Sequence, residues 1–231
     1  MAGFTLLDVG ALTFFVLAWL GYNLGVERHP AGRTGLNVLM NAQRRAWLDE
    51  TVMRENRIVD TTINASLQNG TAFFASTSLF AIGGVLTLFR STGDVLELFA
   101  ELPFGVVTTR AAWEMKTIGL AVIFVYAFFK FGWSYRLFNY GAVLIGAVPG
   151  LRGGDETEVR AAAARAAAMN VVAAMHFNRG QRAFFFALAY LGWFLSAYVF
   201  VAATAAVLVV MWRRQFASDA RRVLLDAEEG S

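Results

Sequence analysis

Thr71–Leu88 reads TAFFASTSLFAIGGVLTL. It carries no charge and is close to the length that crosses a hydrocarbon core, about 20 residues of helix. That places the chain in a membrane and decides its fold class. The stretch is also dense in small and hydroxyl side chains. Ala72, Ser76, Leu79 and Gly83 fall on one helical face, and Ala65 and Asn69 extend it towards the N-terminus. In lipid, apolar side chains gain little from meeting each other, whereas small residues let two backbones approach closely. The face predicts a central packing helix. The other reading is a polar path lined by Ser76, Thr77, Ser78 and the Gly83-Gly84 pair.

The bulk composition agrees with a membrane chain. Of 231 residues 57% are hydrophobic and 16% charged, with a mean hydropathy of +0.51. A soluble domain carries charge on about 25% of its residues. Cysteine is absent, which excludes disulfides, thiolate metal sites, iron–sulfur clusters and cysteine nucleophiles. The two histidines, His29 and His176, do not pair on one helix, so neither a haem nor any other cofactor is expected. HExxH, GxSxG and a phosphate-binding loop are all missing. The cations are arginine except for Lys116 and Lys130. In a membrane chain they report threading and anionic headgroups, and no nucleic-acid-binding motif accompanies them. The expected partners are the lipid bilayer, anionic lipid headgroups, and a membrane-protein partner or a second copy of the chain. No nucleic acid is expected.

Outward from the opening stretch, four spans are predicted, at about 6–26, 64–88, 117–140 and 184–212. The fold class is an all-α, four-span helical membrane bundle in a single domain over 1–231. Asp8 starts the first span and reads as an interfacial carboxylate at a helix N-terminus, where the dipole favours it. His29-Pro30 and Gly32 make the next loop irregular. From Leu36 to Asn69 there is neither Pro nor Gly, which predicts an amphipathic helix over about 36–63 running unbroken into the second span. Val95 to Leu102, before Pro103, patterns as a short interfacial helix. Ala142 to Val148 is too short to cross and reads as interfacial. The alanine-rich stretch at about 155–177 is a strong helix former, but Arg165 and Asn170 predict an exposed or interfacial position. Four spans put both termini on one side. Lys and Arg are more numerous in the 27–63 and 141–183 loops, which predicts those loops inside, both termini outside, and a bacterial inner-membrane location. The arginines of the tail oppose that threading.

Several side chains stand out. Lys130 lies within the third span, where insertion of a cation costs about 2.5–3.5 kcal/mol. It either snorkels to the interface or serves a site, and it is predicted to pair with a carboxylate or hydroxyl of another span. Arg57, Asp60 and Asn69 lie on the helix that enters the second span, either as braces or as a polar vestibule. Phe-Asn-x-Gly occurs at Phe138–Gly141 and Phe177–Gly180. Asn139, Asn178 and their glycines suit helix C-caps. The alternative is a shared anion site with Arg136 and Arg182.

RIVDT (Arg57–Thr61), FFASTS and AIGG (Phe73–Ser78, Ala81–Gly84), FFKFGWSYRLFNY (Phe128–Tyr140) and FNRGQRAFFFALA (Phe177–Ala189) keep their order along the chain. In these stretches it resembles a family known as a domain of unknown function, found in bacterial and plant membrane proteins. The resemblance implies a four-span integral membrane protein and carries no activity.

The chain therefore reads as a non-enzymatic accessory or scaffold protein. The alternative is a small transporter or channel for an ion or anionic solute, built on Lys130 and the hydroxyl-rich second span. A lipid enzyme lacks a nucleophile–base pair.

Overall fold

The computed structural model describes residues 3–28, 35–101, 108–150 and 155–229. His29-Pro30, Gly32, Leu102 and Pro103 lie outside them. Among the described residues the chain is helical, with no strand. In order the helices are α1 (Leu6–Arg28), α2 (Leu36–Glu50), α3 (Ile58–Arg90), α4 (Thr92–Glu101), α5 (Arg110–Gly146), α6 (Glu156–Leu195), α7 (Ala197–Phe216) and α8 (Asp219–Glu229). The all-α class holds. Four segments are long and apolar enough to cross a membrane: Leu6–Glu27, Ile58–Arg90, Arg110–Gly146 and Ala197–Leu225.

α5 and α6 form the antiparallel centre. Lys116 meets Trp193, Phe131 lies against Gly180, Ser134 donates to the Ala173 carbonyl at 2.8 Å, and Gly141 faces Asn170. Ala163, Ala166, Ala167, Ala173 and Ala174 are buried. The 155–177 stretch, expected to be exposed or interfacial, is thus half of the core helix. Alanine is weakly apolar, but its short side chain lets α2 and α5 close on α6. What suits it to this place is size, because its neighbour is protein and not lipid. Ala142 to Val148, expected as a separate segment, largely continues α5 to Gly146.

The 184–212 segment is not one span. Ser196 has extended backbone (φ −167°, ψ 161°), and its hydroxyl accepts from Val199 N at 3.1 Å. It ends α6 and caps α7 in one residue. The two helices form a hairpin in which the Trp193 and Phe200 rings stack at 5.2 Å. α7 then runs parallel to α1. At one end Asp8 accepts from the Trp193 indole at 2.8 Å, and at the other Tyr22 donates to the Met211 carbonyl at 3.0 Å. The start of α1 and the end of α7 therefore lie at opposite ends of the bundle. The expectation of one continuous helix over 184–212 fails because continuous apolarity concealed the reversal at Ser196.

The predicted helix from Leu36 into the second span is also broken. α2 gives way to a tight helical turn at Thr51–Met53, and Arg54 is extended. Asn56 accepts from Ile58 N at 2.9 Å, and Asp60 in the first turn of α3 holds the bend closed. Neither Pro nor Gly is needed when one carboxylate gathers the two sides.

α3 packs on α5 through Asn64, Thr71, Ser78 and Val85, which are buried at heptad spacing. Phe74 fills the seam against Phe131 at 5.3 Å. The predicted packing face points elsewhere: Ala65, Asn69, Ser76, Leu79 and Gly83 are exposed and Ala72 is half-buried. Thr71–Leu88 is a peripheral helix, not the central one. Its inward hydroxyls are satisfied on their own helix, Thr71 on the Leu67 carbonyl and Ser78 on the Phe74 carbonyl, each at 2.8 Å. Polar residues can therefore form the contact face at little cost.

Candidate functional site

The end of the bundle where α1 and α7 finish carries a polar pocket. Glu27 closes α1 and accepts two hydrogen bonds from Arg179, from Nε at 2.9 Å and from Nη2 at 2.6 Å. Arg182 of α6 also donates to Glu27 through Nη2. Arg182 and Gln215 of α7 are each only 6% exposed. Both line a pocket of about 80 Å³ together with Tyr22, Asn37, Asn178 and Arg214. The Arg214 guanidinium lies over the Phe185 ring at 5.3 Å.

The pocket is short of acceptors. Arg182 Nε and Gln215 Nε2 are buried without a hydrogen-bond partner. Buried N–H groups are nearly always paired, and leaving one unpaired costs about 1–3 kcal/mol. Glu27 is the one carboxylate in direct contact with Arg179 and Arg182 among the described residues, and Arg214 stands close by. A cavity with surplus guanidinium charge and free amide donors suits an oxyanion. A guanidinium fork matches carboxylate or phosphate oxygens in plane, and a carboxamide adds a neutral donor.

Of the residues singled out from sequence, Arg182 and Asn178 meet in this pocket. Arg136 does not. It donates to the Tyr140 hydroxyl at 2.6 Å and lies over that ring, so the alternative site shared by Arg136 and Arg182 is not formed. Asn139 accepts from Gln68 at 2.8 Å and donates to the Tyr135 carbonyl at 3.2 Å. Neither Phe-Asn-x-Gly copy is a C-cap, since both lie inside continuous helices. Gly180 instead admits the Phe131 ring, which a Cβ would strike at 2.8 Å.

Lys130 lies 5.1 Å over the Tyr126 ring, one turn back on its own helix. The predicted pairing with another span is not among its described contacts. Arg57 donates to the carbonyls of Ile145 at 3.3 Å and Pro149 at 3.1 Å, and also to Val148. It caps the end of α5. Asp60, fully buried, accepts from the Trp47 indole at 2.7 Å and from Arg54 at 2.6 Å. Arg57 and Asp60 are braces. Asn69, Ser76 and Gly83 stay on the outer face of α3.

Sequence reasoning missed Glu27 and Gln215, although each lies within a turn of a predicted span end. It also missed the contact between Asp8 and Lys116 at the opposite end. Lys116 is 6% exposed, donates to the Trp193 carbonyl at 2.9 Å and stands 3.9 Å from Asp8. The available signal was a carboxylate and an ammonium beside the starts of two spans on the same predicted side.

No curated protein and no solved structure matches the chain. Residues 10–220 match the family described as a protein of unknown function, DUF599. That match covers nearly all of the helical bundle, and the chain belongs to this family.

Proposed function

We propose that this is a non-enzymatic accessory or scaffold protein of the membrane that binds a phosphate-type oxyanion at its arginine-rich end. The observation that carries the reading is the pair of buried, unpartnered donors, Arg182 Nε and Gln215 Nε2, on two residues that line one pocket. The accessory role draws support from α3, whose outward face offers Asn69, Ser76 and Gly83 to a neighbouring helix. The transport route through Lys130 and the second span finds no such support. The Thr71, Thr77 and Ser78 hydroxyls bond their own helix, and Lys130 rests on Tyr126.

The threading follows from charge. Arg90, Arg110 and Lys116 mark the end of the bundle where α1 begins. Arg44, Arg45, Arg54, Arg57, Arg213 and Arg214 lie towards the other end. Positive-inside bias then puts the pocket and the end of α7 in the cytoplasm and the start of α1 outside. α6 returns the chain between α5 and α7 as a pass sheltered by protein. The tail arginines no longer oppose the rest.

Titrating inorganic phosphate into the purified protein is expected to raise its Tm, since a ligand at 100 times its Kd adds about 2.7 kcal/mol. Gln215→Leu removes a stranded donor, so it is expected to leave the free protein as stable or more so while weakening the phosphate response. No response in the wild type, or an undiminished one in Gln215→Leu, contradicts the reading.

A further inference from the structure

The opposite end of the bundle carries a second cavity, independent of the oxyanion pocket. Between α1 and α5 lies a groove of about 490 Å³. Leu12, Phe15 and Trp19 form one wall, Ile118 and Val122 the other, and Tyr190 of α6 contributes to its lining. Val9 and Val122 at its rims are 56% and 62% exposed. The groove thus opens sideways along two membrane-spanning segments, where its neighbour is lipid. From Asp8 to Trp19 it follows about 17 Å of α1 at the helical rise. That is somewhat more than half of the roughly 30 Å hydrocarbon core. An opening of this kind receives a molecule already dissolved in the bilayer.

Two polar features set the chemistry of the occupant. At the mouth stands Asp8, with the buried Lys116 behind it at 3.9 Å and opposite in charge. They offer a polar end without a net charge to choose between headgroups. One turn deeper is the Tyr190 hydroxyl. Tyr190 is 3% exposed and ringed by Phe15, Trp193 and Phe200. Its hydroxyl has no hydrogen-bond partner among the described residues. Gly119 faces it across the groove wall, and any Cβ there would collide with the hydroxyl oxygen. The protein keeps a buried donor, makes room for it and does not use it. Apolar sites with a few placed polar groups are the usual form of a small-molecule site. In a diacyl lipid the ester carbonyls lie just beneath the headgroup, at the depth of this phenol relative to the polar mouth.

We propose that the groove between α1 and α5 holds one acyl chain of a bilayer phospholipid, with the ester carbonyl accepting a hydrogen bond from Tyr190. The headgroup rests at the Asp8–Lys116 mouth. Its charge matters little, so zwitterionic and anionic phospholipids are both held.

The test uses the full chain reconstituted in nanodiscs of phosphatidylethanolamine and phosphatidylglycerol, transferred to detergent and weighed by native mass spectrometry. The wild type is expected to retain one phospholipid per chain. Val122→Trp fills the rim from an exposed position and is expected to cut that occupancy at least tenfold, as is Val9→Trp on the facing helix. Tyr190→Phe is expected to release the lipid several-fold faster. Gln215→Leu is expected to retain it like the wild type, so failure of the oxyanion reading leaves this one standing. Three results overturn the proposal: no retained lipid in the wild type, undiminished retention in both tryptophan variants, or a retained molecule that lacks an ester, such as a quinone.

Discussion

α3 and α6 are both long helices, and their sequences suggest opposite places in the molecule. α3 is strongly apolar and carries the small-residue spacing of a packing helix, yet only 11% of its most apolar stretch is buried. α6 begins with alanine, arginine and glutamate like a surface helix, yet Ala166, Ala173, Ala183 and Phe186 have no exposed surface. The difference lies in the solvent. In water, apolarity drives a helix inward. In a bilayer, lipid accepts apolar side chains as readily as protein does, so the inner positions go to helices that pack closely or carry polar groups needing partners.

The contrast can be broken most easily at α6. Ala183→Leu adds three heavy atoms at a site with no exposed surface. Overpacking costs about 1–3 kcal/mol, so this variant is expected to lose its folded, monodisperse form or melt far below the wild type. A tolerated leucine would mean that α6 is not the core. Next comes Arg54→Ala, which leaves the buried Asp60 carboxylate with the Trp47 indole as its described donor. Removing one partner of a buried pair costs about 3–5 kcal/mol. Arg54 itself is 39% exposed, so a loss of about 2 kcal/mol is expected in chemical unfolding. An unchanged midpoint would show that the α2–α3 bend stands without the ion pair.

A smaller effect is expected where α3, α5 and α6 meet. Asn170 donates to Asn64 at 3.1 Å, and Asn64 donates to the Phe138 carbonyl at 3.0 Å. Asn170→Leu should cost about 1 kcal/mol, the usual scale of such bonds inside membranes. A loss well beyond that would point to a longer polar network. The least effect is expected at Ser76→Leu on the outer face of α3, within about 0.5 kcal/mol. If it instead destabilises the protein or changes its mass on a sizing column, that face is covered by another helix in the native assembly. The contrast between α3 and α6 would then narrow.

The class was legible because it depends on the length of apolar runs. The break at Ser196 was harder to see. A lone serine between leucine and alanine is ordinary inside a span, and only the hairpin geometry shows its hydroxyl on Val199 N. The break at Thr51–Arg57 was hidden for the opposite reason: good helix formers surround it, and the bend is set by Asp60 reaching back across the sequence. The candidate site was half legible. Asn178 stood out through the repeated Phe-Asn-x-Gly, and Arg182 as an anion ligand beside it. Glu27 and Gln215 acquire meaning only when α1, α6 and α7 converge, which no local pattern encodes.

α6 has one more consequence, for how the protein is made. At about 1.5 Å per residue its 40 residues extend about 60 Å. It is not among the segments apolar enough to cross unaided. During synthesis it is expected to enter alongside α5, already in place. α7 then serves as the following signal that keeps it there. A reporter fused after Leu195 is expected to remain largely cytoplasmic, and one fused after the complete hairpin should also be cytoplasmic, now with Ser196 protected on the far side. If the first fusion is efficiently exported, α6 inserts unaided and that order of assembly is wrong.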